Sequence, residues 1–104
     1  MRKLTLIELE FIKKMIECCA EYKFLLPQLN QANVEEMSDG GMGSLLFCSL
    51  DSDRSIGREV ARKYFLDEDG IAVSVVLNID NYGNLYELDV WKADFSELIS
   101  FPRE

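Results

Sequence analysis

Nineteen carboxylates, eleven lysines and arginines, three cysteines and no histidine define the chemistry open to this chain. Without imidazole, Ser-His-Asp and Cys-His nucleophilic systems are excluded, as is every histidine-containing metal site. What remains is carboxylate pairs, or a serine or cysteine activated by lysine. Glu87 and Asp89 lie two apart on one expected strand and share a face. Such a pair does general acid/base work only if one member is desolvated. On an outward strand face solvent keeps both ionised, so the chain is expected not to be an enzyme. Asp51, Asp53 and Ser55 stand at alternate positions, like the early ligands of a calcium loop. The closing acid of a twelve-residue loop is missing, because that place falls at Arg62. The stretch reads as a solvated acidic loop. Gly40, Gly41 and Gly43 could suggest a phosphate cradle, but no lysine accompanies them and Asp39 adds negative charge. No metal and no cofactor are expected.

The elements that position these groups are legible in the spacing of apolar residues. Ile71, Val73, Val75, Leu77 and Ile79 alternate with Ala72, Ser74, Val76 and Asn78, which is a strand lying on a core. The turn Asp80–Asn84 returns the chain into Leu85–Trp91, giving a β-hairpin. Strict alternation there turns Tyr86, Leu88 and Val90 inward and Leu85, Glu87, Asp89 and Trp91 outward. Thr5 and Glu8 form a capping box for an N-terminal helix whose stripe is Leu9, Ile12, Ile16 and Cys19, flanked by Phe11 and Met15. That helix fades between Glu21 and Leu26, ahead of Pro27. Residues 28–33 read as a polar connection. Val34–Ser38 is a short strand, turned by Asp39-Gly40-Gly41 into Met42–Cys48, and Ser49–Arg58 is a loop. Glu59–Leu66 is a further strand joined through Asp67–Gly70. A four-residue loop there sets Leu66 opposite Ile71, and a bulged three-residue loop sets Asp67 opposite Ile71. The choice exchanges the faces of Tyr64 and Phe65. The tail from Ala93 to Phe101 packs back on the domain. The expected fold is α+β, one domain over residues 1–104, with the N-terminal helix packed on an antiparallel sheet of about five strands.

A hydrophobic share of 48% is enough for a core and argues against disorder. The net charge of −8 is unevenly placed. Residues 1–31 hold five Lys/Arg against four Glu, which leaves −9 on the remainder. So acidic a sheet-forming half repels phosphate backbones and attracts basic proteins, so direct nucleic-acid binding is not expected. The odd cysteine count is no disulfide framework and points to a reducing cytoplasm. Arg2-Lys3 precedes only Leu4–Ile7 before Glu8, which is no secretory signal, and no run of about 18 apolar residues offers a membrane span.

A binding module fits this pattern. The outward hairpin face offers Trp91, Leu85 and Val76 among Glu87, Asp89 and Ser74, an aromatic anchor ringed by charge. Alternatively, Trp91 lies beneath the tail as a second small core. Glu68, Asp69, Glu87, Asp89 and Trp91 are the candidate partner-binding residues.

The strings DGGMGSLLF (39–47), DEDGIAVSVVLNID (67–80) and GNLYELDVWKADFSEL (83–98) resemble those of a family of small bacterial domains, mostly uncharacterised. Some proteins of this kind look like immunity proteins of contact-dependent growth inhibition systems. The resemblance implies a cytoplasmic protein that binds a cognate toxin domain, a basic nuclease or RNase, and covers its active site. It carries over no site residue. The alternatives are an acidic interaction or regulatory domain with another partner, or a carboxylate-based enzyme. The oligomeric state is left open.

Overall fold

The computed structural model describes residues 1–102. The elements in chain order are β1 (Arg2–Lys3), α1 (Leu6–Glu17), a 3-10 turn (Ala20–Leu25), α2 (Leu26–Leu29), β2 (Asn33–Glu36), β3 (Leu45–Phe47), β4 (Ile56–Leu66), β5 (Ala72–Asp80) and β6 (Leu85–Lys92). The strands form one six-stranded sheet in the order β1-β2-β3-β6-β5-β4, with every pair antiparallel. The fold is α+β as expected, with six strands rather than five. The added strand is the two-residue β1, too short to leave a periodic signal.

Helix α1 begins where the capping box places it. The Glu8 N–H donates to Thr5 Oγ1 at 3.2 Å and the Thr5 N–H to Glu8 Oε1 at 2.9 Å. Arg2 on β1 then grips both oxygens of Glu8, at 2.8 and 2.9 Å, tying the helix start to the sheet edge. Burial opposes ionisation of Glu8, but the bonds from Arg2 and from the Thr5 N–H prevail and lower its pKa. Thr5→Ala should lower stability by about 1 kcal/mol. Urea midpoints check this, and an unchanged midpoint would mean that the box holds nothing.

The helix buries Phe11, Ile12, Met15 and Ile16 against one sheet face, with Leu9 only partly covered. It ends at Glu17, and the chain does not simply fade before Pro27. Pro27 lies in the first turn of α2, where its missing N–H has no helical partner to lose. The turn Ala20–Leu25 and α2 carry Leu25 and Leu29 into the core, so the connection is apolar on its inner side. No helix among the described residues is long and apolar enough to cross a membrane.

Across the sheet, Leu45 pairs with Leu88 and Leu88 with Leu77, a row of leucines under the helical layer. The alternation expected in β5 holds from Val73 to Leu77, and beyond it Asn78 and Asp80 are buried together with Ile79. That of β6 breaks at one place. Asn78 pairs with Glu87 but Ile79 pairs with Leu85, so Tyr86 is an extra residue in a β-bulge. Leu85, expected outward, is therefore buried, and Tyr86, expected in the core, is only half-buried. A second bulge, at Val60, puts both Glu59 and Arg62 on the face away from the helix, where they form an ion pair at 2.8 Å. At the Asp67–Gly70 turn the register sets Leu66 against Ala72. The three-residue loop is adopted, closed by Asp67 N–H to the Ile71 carbonyl at 2.9 Å, with Gly70 at φ +80°. Phe65 accordingly meets Phe11 edge-on and lies beside Phe101, and Tyr64 faces out.

Candidate functional site

Three sequence strings that lie far apart along the chain converge at one corner of the sheet. The turn between β2 and β3 wraps around Asp39, whose two oxygens accept the Met42 N–H at 3.1 Å and the Ser44 N–H at 3.0 Å. These two N–H groups are therefore already bonded within the turn. Ser44 Oγ donates to the Val90 carbonyl at 3.1 Å and accepts the Val90 N–H at 2.8 Å, fastening the turn to β6. The tail then crosses over it, with the Leu98 N–H donating to the Gly41 carbonyl at 3.0 Å. Gly41 (φ +82°) and Gly43 (φ +101°) permit that crossing. A Cβ on the first would stand 2.8 Å from Glu97 Cγ, and on the second 3.0 Å from Leu98 Cδ2.

The centre of the corner is a buried charge pair. Lys92 and Asp67 are both closed to solvent, with Nζ 2.8 Å from Asp67 Oδ2. The same ammonium donates to Asp69 at 2.7 Å and to the Glu97 carbonyl at 3.0 Å. Asp67 also accepts the N–H groups of Glu68, Ile99 and Ser100 at 2.8, 2.8 and 3.2 Å. Burial pushes the Asp67 carboxyl up, but the Ile99 N–H, the Lys92 ammonium and the other two N–H groups outweigh it and hold its pKa at about 2. Lys92 is raised for the matching reason: burial disfavours its charge, and Asp67 and Asp69 restore it. Sequence reading did not find this pair. The signal was present, since Lys92 continues the inward phase of Leu88 and Val90, and a cation on a core face requires a buried acid.

The pair pins the tail and so sets the surroundings of Trp91. Trp91 is 50% exposed and is not covered by the tail. Its ring meets that of Phe95 edge-on at a centroid distance of 4.8 Å. Phe95, 61% exposed, is held at φ +64°, a left-handed conformation costly for a side chain of that size. Both rings belong to the sheet face opposite α1, which is open at the Trp91 end, while at its other end Arg54 of the β3–β4 loop lies over the Tyr86 ring and Asn78 is buried. In register across that face run Trp91, Ser74 and Tyr64, and beside them Asp89, Val76 and Arg62.

Of the expected partner-binding residues, Glu87, Asp89 and Trp91 share this face. Asp89 is exposed, and Glu87 is half-buried and accepts from Asn78 Nδ2 at 3.2 Å. Glu68 is exposed on the β4–β5 turn, near Leu66 and Phe101. Asp69 is no free charge, because Lys92 holds it. Val76 faces outward and is half-buried, while Leu85 is lost to the core. In the loop before β4, Asp53 accepts the Tyr82 hydroxyl at 2.7 Å, and no three metal-ligating side chains converge among the described residues. A groove of about 410 Å³ between α1 and α2 is lined by Leu9, Lys13, Leu26, Pro27, Leu29 and Asn30, with no carboxylate. Of the candidate acids, Asp69 thus joins Asp67 on Lys92 at the corner, while Glu87 and Asp89 stand on the outer sheet face.

Over residues 1–102 the chain matches the model of a family described as a domain of unknown function, DUF6984. No curated protein matches it, and no solved structure does.

Proposed function

The chain belongs to the DUF6984 family, described only as a domain of unknown function; we propose that it is an immunity-type protein that binds a basic toxin domain and covers its active site. The observation that carries this reading is the Trp91–Phe95 pair, two half-exposed rings in edge-on contact on the outer sheet face, beside Asp89 and Glu87. A large aromatic group on a rigid strand loses little conformational freedom on binding, and such anchors dominate interface energies. The surrounding carboxylates supply steering toward a cationic surface such as an RNA-binding cleft. Its strings resemble those of a family of small bacterial domains, some of which look like growth-inhibition immunity proteins, and its net charge of −8 suits a basic partner.

The test is binding to the product of the neighbouring reading frame. Trp91→Ala should weaken the complex by about 2 kcal/mol or more, mainly through faster dissociation. Melting should change little, because the indole is half in solvent. Reversing Glu87 and Asp89 to lysine should instead slow association and flatten its salt dependence. Failure to bind any such product would sink the immunity reading. Binding that ignores all three substitutions would move the interface elsewhere.

A further inference from the structure

Resting on the docking role proposed above, we infer that the slot over Ser74 takes the arginine or lysine side chain of a basic partner segment. Tyr64 and Trp91 flank Ser74 in register on the outer face, one on each neighbouring strand. Strands spaced about 4.8 Å apart put the two aromatic residues roughly 10 Å from each other, with a small residue as floor. Side chains standing on the sheet at that separation, with only the half-buried Ser74 between them, leave room for one planar or chain-like group. Tyr64 is 66% exposed and Trp91 50%, so both rings are open to a guest.

The chemistry of the guest follows from the lip of the slot. Two residues along β6 from Trp91 stands Asp89, exposed, and beyond it Glu87. On the opposite side Arg62 is held by Glu59 at 2.8 Å and reaches the Tyr64 hydroxyl, so its charge is matched within its own strand. A neutral apolar guest would gain nothing from this acidic lip. A guanidinium or ammonium lies against aromatic faces and reaches the Asp89 carboxylate with the same group.

The single tryptophan of the chain makes the slot directly readable by its fluorescence. The probes are an eight-residue peptide of alternating arginine and glycine, and the same peptide with each arginine replaced by its neutral isostere citrulline. The expected result is a saturable change in Trp91 emission with the arginine peptide and at least roughly tenfold weaker binding of the citrulline peptide. Ser74→Leu, which fills the floor from the solvent side, should abolish the response. Tyr64→Ala, on the exposed edge strand, should weaken it and serves if the first variant folds poorly. Equal responses to both peptides, or a response indifferent to both substitutions, would overturn the slot. Capture of the neighbouring gene product is measured in parallel. If Ser74→Leu still captures it with wild-type affinity, the slot is overturned while the docking role stands. If the wild type captures nothing yet the peptides behave as expected, the slot stands and the immunity reading falls.

Discussion

Asp67→Ala should lower folding stability by about 3 kcal/mol, the lower part of the range for breaking a buried ion pair. The substitution leaves the Lys92 ammonium with Asp69 alone and strips the Ile99 and Ser100 N–H groups of their acceptor. The lower part applies because the cover over the pair is one layer of chain, the tail around Glu97–Phe101. A denaturant midpoint measures the loss. Adding Lys92→Met to Asp67→Ala should recover part of it, since the charge then no longer needs a partner; a double variant weaker than the single one would refute the argument. The pair also predicts a pH dependence. Asp67 titrates at about 2 in the folded protein against an ordinary 3.8. A depressed folded pKa gives stability that is complete above the unfolded value and lost as pH falls through 3.8 toward 2. Melting temperatures between pH 5 and 2 should therefore fall more steeply for the wild type than for Asp67→Asn. Because the same bonds fix the tail that carries Phe95, Asp67→Ala should also change the emission of Trp91.

Leu88→Ala should cost about 3 kcal/mol, from lost transfer energy and the cavity left behind. Leu88 is fully buried at the middle of the row formed with Leu45 and Leu77, at the junction of β3, β6 and β5. A midpoint shift at unchanged denaturant slope is the expected form of the result. Asp89→Ala, one residue along and facing solvent, should stay within about 0.5 kcal/mol. The bulge can be tested on the same strand: Leu85→Ala should destabilise more than Tyr86→Ala, the reverse of what unbroken alternation requires. A larger loss at 86 than at 85 would mean that β6 is regular.

Local signals in the chain determined much of this architecture. The Thr5/Glu8 box fixed the start of α1 because both partners lie within one turn. The period-two pattern from Val73 to Ile79 fixed the inward face of β5, and the glycines at 40, 41 and 70 marked turns that need positive φ, whereas Gly43, expected within a strand, also lies in the turn, at positive φ. Charge and the absence of histidine narrowed the chemistry before any geometry was known. Tertiary structure alone decided the rest. The order of strands, with β3 seated against β6, depends on long-range packing that no window of sequence contains. The Tyr86 bulge depends on the register against β5, and it moved Leu85 from the outer face to the core. Trp91 was ambiguous in sequence because its cover depended on the path of the tail. That path is set by Asp67, 24 residues upstream, and by the close approach at Gly41 and Gly43. Asp67 and Asp69 read alike as turn acids. Only the arrival of Lys92 from β6 made one of them a buried anchor and the other its half-exposed neighbour, because a buried charge is defined by the partner that the fold brings to it.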